Sequence, residues 1–126
     1  RLMLEDKEIP MFGDGSTSRD YTYIDDIVDG VIKSISYVEN NSNVYEILNL
    51  GNSSPVTLKE MIQTIGEALG KEPKINQLPM QPGDVERTFA DVSKAKKIIG
   101  YEPKTSFKEG IENFVKWYKI NKDLYL

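Results

Sequence analysis

Neither cysteine nor histidine occurs in the 126 residues of this chain. Without cysteine there is no disulfide, no thiolate nucleophile and no thiolate metal site. Without histidine the usual general base and the usual zinc ligand are also missing. Positive charge is outnumbered. Sixteen Lys and Arg against twenty Asp and Glu leave a net charge of −4, which disfavours a general nucleic-acid surface and leaves a small anion to be held by local cations. No apolar run approaches the length of a membrane span or a secretory leader, although 39% of the residues are hydrophobic. The expectation is a soluble cytoplasmic protein with no nucleic-acid or membrane partner. At this length it holds one domain at most, spanning 1–126. The chain starts with Arg, and Arg1–Lys7 reads as the tail of an amphipathic helix without a cap. A fragment of something longer is therefore expected.

What is present is organised around Phe12–Ile27. Gly13 and Gly15 bracket an Asp and suit a tight turn, and Tyr21–Ile24 is aromatic and β-branched enough for a short strand. Asp25 or Asp26 is placed to cap the next helix. Ile24, Ile27, Val28, Val31, Ile32 and Ile35 then draw one apolar stripe at helical spacing. Val44–Leu50 is apolar on both faces and predicts a strand buried on both sides, able to join a sheet outside this chain. Thr57–Glu60 opens a second helix with a capping box, Gly70 closes it, and Val56 with Met61 could form a hydrophobic staple. Pro73–Leu78 is extended, Pro79–Asp84 a loop, and Asp91 caps a short basic helix over Val92–Ile99 that stops at Gly100. Ser106–Glu109 repeats the capping box before a last helix carrying Phe107, Ile111, Phe114, Val115 and Tyr118. Strands alternating with about four capped helices indicate an α/β lobe, with too few strands for a doubly wound sheet of its own.

Several residues invite a chemical reading, each beside a plainer one. Arg19 is either a surface arginine paired with Asp20 or Asp14, or a phosphate clamp near a glycine turn with the Tyr21 hydroxyl close by. Gly13-Asp14-Gly15 has neither the spacing of a dinucleotide loop nor the Gly-Lys-Ser/Thr ending of a P-loop, so it reads as a strand connection. Asn49-Leu50-Gly51 is either a strand stop or a ligand-facing strand end. Gly83–Arg87 is a solvated loop, or one that offers the Asp84 carboxylate to sugar hydroxyls and the Arg87 guanidinium to an anion. Asp25 and Asp26 are more simply helix-start charges than an acid–base pair. Lys94, Lys96 and Lys97 make a solvated helix face, and Trp117 and Tyr118 pack the last helix. No nucleophile–base pair or metal constellation is visible, so this chain by itself is not expected to catalyse.

Four segments taken in order are more specific than any one of them: FGDGSTSRDYTYIDDI at 12–27, YEILNLG at 45–51, PGDVERTFAD at 82–91 and SKAKKIIGYEPK at 93–104. Together they resemble the C-terminal portion of NAD-dependent nucleotide-sugar epimerases and dehydratases, the extended short-chain dehydrogenase/reductase family. The likeness is greatest to the UDP-glucuronate and UDP-glucose 4-epimerase branch, and it covers essentially the whole chain.

The resemblance implies that NAD is bound by a Rossmann domain outside this chain, together with the catalytic Tyr-x-x-x-Lys and Ser/Thr. It implies that 1–126 is the nucleotide-sugar-binding lobe of an isomerase acting through a 4-keto sugar. It further implies that Arg19 holds the diphosphate with Tyr21 beside it, that Asn49 faces the cleft, and that Asp84 lies near the ribose. Many such epimerases carry an arginine where this chain has Gln81, so Arg87 is a candidate for the second phosphate contact. The implied partners are a UDP-sugar and a second copy in a homodimer of the full-length protein. A dehydratase or decarboxylase on the same scaffold, or a stand-alone nucleotide-sugar-binding module, is the alternative.

Overall fold

The computed structural model describes residues 1–122. Its elements in chain order are β1 (Ile9–Phe12), β2 (Ser18–Arg19), α1 (Ile24–Asn40), β3 (Val56–Thr57), α2 (Leu58–Leu69), β4 (Ile75–Leu78), α3 (Ser93–Ile99) and α4 (Phe107–Asn121). Four helices and short strands are what the alternation of capped and extended segments predicts.

β1 and β4 pair in parallel, with Ile9 opposite Ile75 and Phe12 opposite Leu78. Parallel neighbours need a crossover, and here the intervening chain includes α2, whose inner face covers the pair. Met3, Met11 and Ile62 form the buried centre, with Ile9, Leu58, Ile65 and Leu69 packed around them. α4 lies against α2, and α3 lies against α1. The second sheet is minimal: β2 and β3 run antiparallel, Ser18 opposite Thr57 and Arg19 opposite Val56.

Helix ends follow local chemistry. Thr57 and Glu60 complete the capping box of α2, and Gly70 ends that helix in the left-handed region at φ 67°. Ser106 accepts from the Glu109 N–H at the start of α4, and Gly100 closes α3 at φ 65°. Gly13 and Gly15 take φ of 77° and 82° in the connection from β1 to β2, the backbone region in which a side chain is strained.

Five expectations are corrected. Arg1–Lys7 forms a single turn, closed with Asp6 at φ 54°. The strand expected at Tyr21–Ile24 is displaced to Ser18–Arg19, because the ladder partners for that stretch, Val56–Thr57, end there. α1 is preceded by Tyr23 without a side-chain cap, since the Asp26 carboxylate is engaged elsewhere, as described below. Val92 rather than Asp91 sits at the cap position of α3. Asp91 still accepts from the Ser93 N–H at 2.9 Å, and hydrogen bonding from the Ser93 hydroxyl together with that N–H holds its carboxyl below the usual range. Finally, Val44–Leu50 makes no ladder among the described residues. Tyr45 is 90% exposed and Ile47 72%, so the both-faces-buried reading fails within this chain for want of a neighbouring strand.

The α1 stripe forms, but it faces outward. Ile24, Val28, Val31, Ile32, Ile35 and Val38 are all about half exposed. Of the residues on α1 only Asp26 and Gly30 are buried. Gly30 is required there, because a Cβ would meet the Leu50 methyls at 2.8 Å and the Tyr101 ring at 2.9 Å. No helix is long and apolar enough to cross a membrane among the described residues.

Candidate functional site

The sequence candidates gather where three segments meet: β2, the turn at 49–54, and the chain at 84–91. The 84–91 segment runs beside β2, with the Ser18 N–H donating to the Glu86 carbonyl at 2.9 Å and the Thr88 N–H donating to the Ser18 carbonyl at 3.1 Å. Arg87 is thereby set opposite Ser18, next to Arg19. Extended pairing over so few residues is weak by itself, so its geometry depends on what the neighbouring side chains do.

Arg19 donates through Nη1 to the Ser18 carbonyl at 2.8 Å and through Nη2 to Asp84 Oδ1. The ion-pair partner is thus neither Asp20 nor Asp14; Asp14 instead accepts from the Ser16 N–H and hydroxyl. Arg19 is 27% exposed and Asp84 41%, so the pair is reachable from solvent. Arg87 places its guanidinium carbon 5.4 Å from the centroid of the Phe89 ring, a cation–π distance that steadies the head of a long side chain. Asn49 donates its amide to the Asp91 carbonyl at 3.2 Å, tying the end of 44–50 to the segment beyond Arg87. Arg19, Asp84, Arg87 and the backbone around Asn49 therefore share one junction.

Tyr21 belongs next door. Its ring lies 5.2 Å from that of Phe107, in an open pocket of about 270 Å³ at the start of α4 that Tyr23, Ile24, Ile111 and Phe114 also line.

Residues to which the sequence reading gave another role, or none, hold the junction together. Asp20 accepts from three backbone N–H groups: Ser53 at 3.1 Å, Ser54 at 3.2 Å and Ala90 at 3.0 Å. The Asp20 N–H itself donates to the Thr88 hydroxyl at 3.0 Å, and the Ser53 hydroxyl donates to the Ala90 carbonyl at 2.6 Å. Contact is so close that a Cβ on Gly51 would stand 2.4 Å from that of Ala90.

Tyr101, wholly buried, donates its hydroxyl to the Gly51 carbonyl at 2.9 Å. Burial and the nearby Asp26 charge hold that phenol above its usual pKa. Asp26, also buried, accepts from the Lys104 and Thr105 N–H groups at 3.0 Å each. Burial alone would raise its pKa, yet the two N–H groups prevail and hold the carboxyl below the usual range. The signal available in the sequence was faint: an aspartate beside Arg19 and a tyrosine just after a helix-closing glycine.

A guanidinium and a carboxylate, paired and reachable from solvent, suit an anion that also carries hydroxyls, such as a nucleotide diphosphate joined to ribose. Dinucleotide binding does not fit these residues. Gly13–Gly15 joins one strand to another, where a dinucleotide cradle joins a strand to a helix N-terminus. Among the described residues no cluster of acidic side chains could hold a metal.

Known proteins agree with this architecture. A family model described as GDP-mannose 4,6 dehydratase matches residues 1–114. An uncharacterised protein of Methanocaldococcus jannaschii is 47% identical over 95% of this chain and 36% of its own length. A UDP-glucuronate 4-epimerase of Thermodesulfobacterium geofontis is 41% identical over 98% of this chain and 37% of its own. Among solved structures, the UDP-glucuronic acid 4-epimerase of Bacillus cereus, crystallised with UDP-glucuronic acid and NAD, superposes with a TM-score of 0.83. It is 34% identical over 98% of this chain and 38% of that one. The chain thus spans well under half the length of these relatives.

Proposed function

The chain belongs to the family of NAD-dependent nucleotide-sugar epimerases and dehydratases, and from that premise we propose that it is the substrate-gripping part of a UDP-sugar 4-epimerase, with a UDP-hexuronate as substrate. The full-length protein is then an isomerase that uses NAD. The residues described here do not fit the dinucleotide, so the chain outside them would hold it and carry the catalytic groups. The task of this part is to fix the nucleotide diphosphate while the sugar remains free to present either face.

The observation that carries this reading is the Arg19 fork, solvent-accessible and paired with the loop carboxylate Asp84, on a segment that also carries Arg87. A diphosphate offers that fork a better acceptor than a single carboxylate, since it can be met bidentately. Release of Arg19 leaves Asp84 free to accept from ribose hydroxyls, and Arg87 replaces the contact that Gln81 cannot make. Asn49, fixed at the far rim through Asp91, faces the cleft, and Tyr21 closes it on the apolar side.

The test is Arg19→Ala in the full-length protein. Loss of charge-assisted hydrogen bonds of about 1.5–3 kcal/mol each raises the KM for UDP-glucuronate by about 10- to 100-fold, and UDP binding weakens in parallel. An unchanged affinity for UDP overturns the reading. A second reading has its own support: the family model that matches is that of a dehydratase. Product analysis separates the two, because 4-epimerisation returns an isomer of equal mass whereas dehydration loses one water.

A further inference from the structure

Asp20 sits beside the arginine on which the proposed function turns, yet its carboxylate points to none of the cations. Among the described residues no Lys or Arg pairs with it. Its acceptors are filled by backbone instead. Oδ2 takes the Ser53 and Ala90 N–H groups and Oδ1 takes that of Ser54. Those N–H groups lie on the two segments that, with β2, carry Asn49, Asp84 and Arg87. One carboxylate is therefore tied to both strands of chain that flank Arg19. The peptide on the N-terminal side of Asp20 is fixed as well, by the bond from its N–H to the Thr88 hydroxyl.

We propose that Asp20 is the positioning residue of the diphosphate site: by gathering the 51–54 turn and the 88–91 segment onto β2, it sets where the Arg19 and Arg87 guanidinium groups stand. This rests on the diphosphate reading of Arg19. The chemistry demands a carboxylate rather than its amide. Three N–H donors converge on two oxygens. In Asp20→Asn one of those oxygens becomes an NH₂ that meets an N–H donor head on, so at least one segment must move away. Glutamate offers the right charge, but its extra methylene pushes the oxygens into a space where Gly51 and Ala90 already touch. A displacement on the order of 1 Å at the rim carries through to the guanidinium heads, because both arginines leave the backbone next to the stitched segments.

The experiment is calorimetric titration of UDP into the full-length protein, wild type and variants, reading both Kd and the number of sites. Asp20→Asn is expected to raise the Kd for UDP by about 10- to 100-fold with a full complement of sites. The KM for UDP-glucuronate rises in step and kcat changes little. A purely structural role gives the other pattern: fewer sites, a lower melting temperature and an unchanged Kd in the molecules that remain folded. That pattern overturns the proposal.

If Asp20→Asn yields no folded protein, Thr88→Val decides. It removes one hydroxyl acceptor from the same joint at nearly constant volume. It should raise the Kd for UDP by about 2- to 10-fold, and an unchanged Kd overturns the proposal. Arg19→Ala in the same series separates the two levels. If it leaves the Kd for UDP unchanged, the diphosphate reading itself is wrong; if it weakens UDP while Asp20→Asn does not, only the positioning role falls.

Discussion

The junction of β2 with the 49–54 and 84–91 segments and the outer face of α1 are built on opposite terms. At the junction every element is a few residues of irregular or barely extended chain, but side chains complete what the backbone leaves open. Asp20 fills three N–H groups, Tyr101 reaches the Gly51 carbonyl, and Asp26 fills two more N–H groups across the fold. α1 is regular over 17 residues, yet its stripe of isoleucine and valine is half exposed. Regular secondary structure and satisfied surroundings are therefore separate achievements. The junction closes upon itself, whereas α1 presents a contiguous apolar face of the kind that marks an interaction surface.

Substitutions at the two regions can break or sharpen that contrast. The largest effect is expected from Tyr101→Ala, which empties a fully buried aromatic site and orphans the Gly51 carbonyl. A loss of about 3–5 kcal/mol would appear in urea unfolding as a markedly lower midpoint. Asp26→Ala comes next, at about 2–4 kcal/mol near neutral pH, because two buried N–H groups lose a charged acceptor.

The pH dependence of Asp26 has a definite sign. Its carboxyl is held below the usual range in the folded chain, so its contribution is present above the unfolded value near about 3.9 and is lost as pH falls through the lower folded value. Wild type and Asp26→Asn should therefore differ in stability at pH 7 and converge in strong acid. A constant difference across that range argues against the clamp.

The smallest effect belongs to α1. Val31→Ser with Ile35→Ser should change the stability of this chain by no more than about 0.5 kcal/mol per site, as surface substitutions do, apart from a small helix-propensity term. A loss approaching that of Tyr101→Ala would erase the contrast between the regions.

Legibility in the sequence followed the range of the interactions. Thr57 with Glu60, Ser106, Gly70 and Gly100 act on neighbours three or four residues away, and the sequence reading places each where the structure does. Val44–Leu50 has the composition of an interior strand, but a strand exists only against a partner, and composition cannot supply one. Asp26 reads locally as a helix cap; its true partners are 78 and 79 residues on. Arg19 and Asp84 each stood out as candidates on their own chemistry. Their pairing, across 65 residues, could not be read. Asp20 was read only as an ion-pair partner for Arg19 for the same reason, since a carboxylate serving backbone N–H groups leaves no mark on side-chain pattern.

The span of the Asp20 bonds also bears on how the protein is made. They bridge 33, 34 and 70 residues, so they close large loops and are expected to form after the local helices rather than guide them. During synthesis, at roughly 5–20 residues per second, Arg19 and Asp20 would wait about 4–14 seconds before Ala90 has even been added to the chain. Through that interval the arginine is an unpaired cation on a growing polypeptide. The proposed anion grip thus assembles only after α1 and α2 have been made, and a stall or truncation before residue 90 leaves those two helices synthesised and the grip undone.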